Sequence, residues 1–400
     1  MSSERLQRIA DYVQRQVDQC QAPMMQVAVM RHGTLVFETA AGLADLERRT
    51  PLSDDTIMRI YSMTKPIVST AFMILVERAE VQLDHPVSRY LPCFANMTVH
   101  TGEGVRPART PITLQHLLTH SSGIGYEFLQ PPGSAVAESF HAAGVGFNPS
   151  LPGRGEPGAL RREVERLAAV PLICEPGTAF HYGYGIDVIG CVIEIITGQL
   201  LGDFLKKEIF EPLGMHDTGF HVPPADVGRF AACYQLRQSG SGFEPGVPTQ
   251  DFTVPCPHMS LGGSGLVSTM RDFRRFTAML AGGGVCPPTG LGSAWRRLLS
   301  RTTVNFMMLD HLPPGVDVTP GFLHNRHGVG FGIGGSVVKS AARNGVVGAT
   351  YSWGNMANGY MCIDPSEGIA FVMLTQVMPS FRLCHWRREL QSLIQAAIDD

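Results

Sequence analysis

The chain has 400 residues, of which 44% are hydrophobic and 17% charged, and its formal net charge is −3. That length and apolar content allow a large core and exceed the usual single-domain size, so two lobes in close contact are expected. There is no basic field of the kind that nucleic acid or an anionic membrane would require, and small, mostly uncharged partners fit better.

The first residues, MSSERLQRIADYVQRQVDQC, spread charge along their length without the apolar core of a signal peptide, and a cytoplasmic location is expected. No stretch approaches the roughly 18 uninterrupted apolar residues of a membrane span. Leu6, Ile9, Tyr12, Val13 and Val17 recur at helical spacing and predict an opening amphipathic helix over residues 5–20. The period then changes. Residues 26–30 and 34–39 read as two strands around Arg31-His32-Gly33, a β-hairpin. From Ile67 the apolar positions 67, 68, 71, 72, 75 and 79 fit one helical face, with Pro66 tolerated because first-turn amides have no helical partner.

Between Pro86 and Pro257 the chain is rich in proline and glycine, with short helical stretches at 114–118, 159–170, 187–197 and 201–210. Residues 129–157 and 222–257 read as long loops, which in a compact protein usually line a site or stay mobile. Strand character returns at 329–339, 346–353, 359–364 and 369–376, and a helix over 381–398 closes the chain. Strands at both ends around a helical middle predict an α+β fold. Its antiparallel sheet is built from N- and C-terminal segments and flanked by helices in an α/β sandwich. Residues 1–85 and 258–400 form the sheet domain in this reading, and 86–257 an inserted, mainly helical domain. The nine cysteines form no C-x-x-C pair and read as reduced, mostly packed thiols.

Chemistry concentrates first at Ser62-Met-Thr-Lys65, at the head of the predicted buried helix. A serine hydroxyl needs a base within reach, and positions three apart on a helix share a face. Burial and the positive end of the helix dipole both favour an uncharged lysine amine there, and the helix start offers the Ser62 backbone N–H to an oxyanion. Alone, the motif proves little, since Ser-x-x-Lys is common by chance and serine is a favoured helix cap.

Downstream lie LLTHSSGIGY, GTAFHYGYGIDVIG, LGGSGLVSTMRDF and YSWGNMANGYMCIDPSEGIAFVMLTQ. With Ser-Met-Thr-Lys as anchor, this set resembles the serine β-lactamase and penicillin-binding protein superfamily, in particular its class C-like branch and the family VIII carboxylesterases within it. The resemblance runs from about residue 26 to residue 376. It implies a β-lactamase/transpeptidase-like fold, with Ser62 acylated, Lys65 as its partner and Tyr182 as the catalytic tyrosine. A phenolate beside a lysine ammonium can accept the serine proton and pass it to a leaving alcohol. Tyr184 is a rival for that role, and Asp187 reads as structural. The β-lactamases carry Tyr-x-Asn where this chain has Tyr184 in the third position, and Lys-Thr-Gly where it has Trp353-Gly354-Asn355, resembling the Trp-Gly-Gly of the esterases. A neutral aromatic there suits an uncharged acyl or alcohol group, whereas a carboxylate would lose its cationic partner. By position the resemblance puts the second oxyanion N–H on Met356. Trp353, Gly354, Asn355 and Tyr126 would line the substrate, although Trp353 and Tyr126 also fit plain packing roles.

Weaker signals are set aside. Gly330–Gly335 matches G-x-G-x-x-G inside a strand-like run with no helix after it. His324 and His327 come without other metal ligands, and no metal is expected. There is no G-x-S-x-G elbow. Thr269–Asp272 reads as a capping box, and Gly262-Gly263-Ser264-Gly265 as either a close backbone approach to the site floor or a plain turn. The expected activity is cofactor-independent hydrolysis of a small-molecule ester, with no nucleic acid, membrane or obligate protein partner. Acyl transfer to an alcohol is the adjacent alternative, followed by weak β-lactamase or amidase activity. A non-catalytic sensor is the remaining reading, and it conflicts with retention of Ser62, Lys65 and Tyr182.

Overall fold

A computed structural model of the chain describes residues 1–238, 242–286, 296–318, 328–341 and 350–399. Its centre is an eight-stranded antiparallel sheet in the order Val329–Phe331, Ser336–Val338, Tyr351–Gly354, Tyr360–Asp364, Ile369–Leu374, β1 (Met24–Arg31), β2 (Thr34–Asp45) and β3 (Thr50–Pro51). The two ends of the chain meet at its middle, where β1 pairs with Ile369–Leu374 in the register Val27 to Met373 and Ala28 to Val372. The β1–β2 hairpin turns at His32 and Gly33, both at positive φ (48° and 78°), a conformation glycine adopts freely and histidine tolerates.

Both faces of the sheet are covered, and the strand alternation shows why. Met25, Val27 and Val29 of β1, with Phe371 and Met373, face a cluster built from Leu6, Ile9 and Val13 of helix α1 (Ser3–Asp18) and Trp386, Leu390 and Ile394 of the C-terminal helix His385–Ala396. The alternate residues Met24, Ala28 and Met30, with Ala370, Val372 and Leu374, join the main core. There they meet helix α2 (Thr64–Glu77) and the helix Met270–Ala281, which is capped by the Thr269 side chain accepting from Asp272 N–H. The Asp272 carboxylate accepts from Asp217 N–H and Thr218 Oγ1, so it is committed to the neighbouring loop.

The helices of residues 86–257 include Leu114–Leu118, Ala135–Ala142, Ala159–Leu167 and Gly185–Thr197, and their apolar faces belong to the same main core. Two segments expected as long loops carry structure. Residues 129–157 contain the helix Ala135–Ala142, capped by Ser134, and residues 222–257 contain the strands Tyr234–Leu236 and Phe243–Pro245. The first of these strands runs parallel to Val377–Met378, a pairing between distant segments that local periodicity cannot reveal. The run expected as one strand over 329–339 is a hairpin, with Val329 opposite Val338 and a turn through Gly332–Gly335. Part of the strand expected at 346–353 lies outside the described residues; Tyr351–Gly354 is its described portion.

Candidate active site

Ser62 sits in a single 3-10 turn, Tyr61–Met63, that runs directly into α2. Tyr61 before it has φ +38°, a left-handed conformation that a bulky aromatic residue adopts only when its surroundings enforce it. Here the ring is fully buried against Phe252 at 5.9 Å between centroids. Pro66 occupies the third position of α2, where no helical hydrogen bond is lost. Every residue from Thr64 to Leu75 is buried, so the helix has no solvent face and carries Lys65 into the interior with it.

Lys65 is 0% exposed, and its amine donates to several acceptors spread around it. Nζ donates to the Gly263 carbonyl at 2.7 Å, to the Tyr126 hydroxyl at 3.1 Å and, at a longer 3.5 Å, to Ser62 Oγ. It also lies 4.6 Å from the centroid of the Tyr182 ring. The Tyr182 hydroxyl is the group closest to the serine, donating to Ser62 Oγ at 2.9 Å. The rival Tyr184 points elsewhere, with its hydroxyl donating to Glu127 Oε2 at 2.5 Å and its ring stacked on Phe147. Burial, and then the Glu127 carboxylate, push the Tyr184 phenol far above its ordinary range. Tyr126 is also held in its protonated form, by burial first and then by its crowded aromatic and acidic neighbours.

The floor of the site is the Gly262–Gly265 segment, and the backbone approaches closely there. A Cβ on Gly263 would lie 2.4 Å from Asp187 Oδ2, and one on Gly262 would lie 2.6 Å from the Ile186 carbonyl. Gly263 N–H donates to Asp187 Oδ1 at 2.8 Å while its carbonyl receives Lys65, so one residue's backbone links a buried carboxylate to the buried amine. Burial raises the Asp187 carboxyl to about 6, against the opposing pull of Lys65 and of the Gly263 amide.

Trp353, Gly354, Asn355 and Met356 form the opposite edge, at the end of the strand Tyr351–Gly354. Trp353 is 3% exposed and packs on Tyr182 at 5.4 Å and Phe331 at 5.1 Å. Its indole Nε1 is buried without a partner among the described residues. The Asn355 side chain is turned into the protein, where Oδ1 accepts from Ala357 N–H and Gly359 N–H and Nδ2 reaches Met63 Sδ at 3.4 Å. Asn355 thereby ties the turn 355–359 to the residue following Ser62. Met356 lies in that turn, half exposed, and its amide is not among the turn's donors. Behind the strand, Arg387 donates to the Asn355 carbonyl, and a Cβ on Gly354 would fall 2.7 Å from the guanidinium carbon.

Three neighbours of the site were not read from sequence: Gly263 as a partner of Lys65, Arg387 behind the strand, and His120 against Tyr182. The glycine cluster was the available signal for the first, but a bare Gly-Gly-Ser-Gly does not say which side chain its carbonyls face. The glycine run 330–335 is a hairpin turn whose Gly334 packs on Ser69 of α2. His324 and His327 lie outside the described residues. Among the described residues no cluster of three or more histidine, cysteine or acidic side chains could hold a metal, and no single helix is long and apolar enough to cross a membrane. All nine cysteines are free thiols.

A half-buried serine hydrogen-bonded to a tyrosine and a buried lysine is an arrangement suited to a serine enzyme, and the chain belongs to the β-lactamase family, whose model matches residues 9–393. Its fold is the α+β arrangement of β-lactamases and penicillin-binding proteins. Within that family it is 31% identical over 369 residues to esterase EstB of Burkholderia gladioli, covering 87% of this chain and 84% of that one. It is 27% identical over 365 residues to acyltransferase calJ of Penicillium decumbens, covering 87% and 82%. A solved structure of EstCE1, a hydrolase with promiscuous acyltransferase activity, matches with TM-score 0.78 at 25% identity over 98% of each chain.

Proposed function

We propose that the protein hydrolyses small carboxylic esters through an acyl-enzyme on Ser62. The reaction class, an esterase-type serine hydrolase, follows from the family and from the likeness to esterase EstB. The observation that carries the residue assignment is the convergence on Ser62 Oγ of the Tyr182 hydroxyl at 2.9 Å and the Lys65 amine at 3.5 Å. In this reading the reacting form pairs a Tyr182 phenolate with the Lys65 ammonium that faces its ring, and the phenolate takes the serine proton as Oγ attacks the ester carbonyl. The Ser62 and Met356 amides hold the resulting oxyanion. Tyr182 then returns the proton to the departing alcohol, and the same pair activates the water that releases the acid.

Trp353 gives the cleft a neutral wall where a lactamase would present a lysine, which favours ester groups without a carboxylate. Tyr126 and Gly354 border the same space, while Asn355 contributes through its backbone and by bracing the turn. The free thiols fit a reducing compartment such as the cytoplasm. Acyl transfer is the second reading, favoured by the likeness to calJ and EstCE1, and partition of the acyl group between water and added alcohols measures it.

The test is turnover of p-nitrophenyl butyrate. Ser62→Ala is expected to abolish it while the circular dichroism spectrum persists, and a small phosphonate should add its mass to the peptide containing Ser62. Undiminished turnover in Ser62→Ala would sink the assignment.

A further inference from the structure

The 117–125 and 181–185 segments lie backbone against backbone. A Cβ on Gly183 would meet the Ile124 carbonyl at 2.2 Å, and one on Gly185 the Leu117 carbonyl at 2.5 Å, so only glycine permits this approach. At the centre of the contact is His120. It is 1% exposed and adopts φ +53°, a left-handed conformation that histidine and asparagine tolerate better than most residues.

Its hydrogen bonds bracket one tyrosine. The His120 carbonyl accepts from His181 N–H at 2.8 Å, and its ring Nδ1 accepts from Gly183 N–H at 3.3 Å. Between these two residues is Tyr182, whose ring meets the imidazole edge-on at 4.7 Å between centroids. An Nδ1 that accepts fixes the neutral tautomer with its proton on Nε2. Burial and the nearby Lys65 charge hold the ring well below its ordinary protonation range. Nε2 has no partner among the described residues, so within that set the ring is held by hydrogen bonding from its Nδ1 side alone.

We propose that His120 is a positioning residue for the reaction: by gripping the backbone on both sides of Tyr182, it sets the distance at which the tyrosine hydroxyl meets Ser62 Oγ. The proposal rests on the reading of Tyr182 as the base. His120 touches neither Ser62 nor substrate in this account, and its effect passes entirely through Tyr182.

A double-mutant cycle tests this, using steady-state kinetics on p-nitrophenyl butyrate. His120→Leu removes the acceptor, and a misplacement of about 1 Å in the base is expected to lower kcat on the order of 100-fold with KM nearly unchanged. His120→Asn keeps an oxygen at the Nδ1 position and accepts the left-handed backbone, so it should retain kcat to within about tenfold. In a Tyr182→Phe background the base is gone, and His120→Leu should change kcat by no more than about twofold further. Equal losses in the two backgrounds, or an Asn variant as impaired as the Leu variant, would overturn the proposal. If His120→Leu does not fold, His120→Gln replaces it, because its amide reaches past the Nδ1 position and leaves the Gly183 amide unpaired. Full activity in Tyr182→Phe would instead remove the base assignment on which the proposal stands, while Ser62→Ala reports on the acyl-enzyme independently of both.

Discussion

A serine oxygen attacks an ester only when a neighbour can take its proton, and at Ser62 two candidates stand at different distances and in different surroundings. The Tyr182 hydroxyl is at 2.9 Å and the Lys65 amine at 3.5 Å, with the amine also committed to Gly263 and Tyr126. Tyr182→Phe is therefore expected to lower kcat by about 10²- to 10⁴-fold, the usual contribution of a general base. Tyr184→Phe, whose hydroxyl serves Glu127, should leave kcat within about tenfold but destabilise the fold by about 1–3 kcal/mol in urea unfolding. Asp187 supplies a pH signature. Its folded carboxyl is raised to about 6 by burial, so as pH climbs from about 4 to about 6 the unfolded chain ionises first and stability falls; above that window the penalty is constant. Glu194 is also raised to about 6 by burial and contributes in the same direction. Asp187→Asn should flatten part of this decline, read as the urea midpoint measured against pH. An unchanged slope would show that Asp187 does not carry it.

At the scale of elements, α2 behaves as a buried axle onto which other pieces are fitted by backbone contact. The hairpin Val329–Val338 docks on it through Gly334, which has φ +80° and whose added Cβ would sit 2.4 Å from Ser69 Oγ and 3.3 Å from the Lys65 carbonyl. Gly334→Ala is expected to cost about 1–3 kcal/mol through the strained φ and the clash together, seen as a lower urea midpoint with an unchanged m-value. The sequence matched G-x-G-x-x-G at this place, and those glycines serve packing: an added Cβ would meet Asp310 at Gly330, the Met307 carbonyl at Gly332 and the Tyr351 ring at Gly335. Elsewhere, helices with a clear apolar period were legible to within a few residues, as at Ser3–Asp18 and Leu114–Leu118. The helix Ala135–Ala142 was missed because it buries little besides Phe140, so no apolar stripe announces it.

The whole molecule closes its sheet by joining its ends. Trp386 is fully buried between the terminal helices, and its Nε1 donates to Gln16 Oε1 at 3.0 Å. Trp386→Ala is expected to cost about 3–5 kcal/mol as a buried aromatic truncation, measured by chemical denaturation, with kcat of the surviving folded fraction unchanged because the site lies across the sheet. The proposed division into a sheet domain (1–85 and 258–400) and an insert (86–257) puts Ser62 and Lys65 on one side of the cleft and Tyr126 and Tyr182 on the other. The distances between these groups are then a property of how the two parts pack.

Sequence alone determined the kinds of chemistry available: a serine and a lysine one helical turn apart, a tyrosine before a buried helix, and a tryptophan where a lysine would have favoured a carboxylate. The serine and lysine are legible together because positions three apart on a helix share a face, while the tyrosine and the tryptophan enter through the resemblance to the family's motifs. Only the tertiary structure put the Tyr182 hydroxyl beside Ser62 and that of Tyr184 on Glu127, gave Lys65 its carbonyl partner at Gly263, turned the Asn355 side chain inward and set His120 against Tyr182. Each of these depends on contacts between residues far apart in the chain, where the outcome is settled by which backbones can approach and which buried polar groups must find partners.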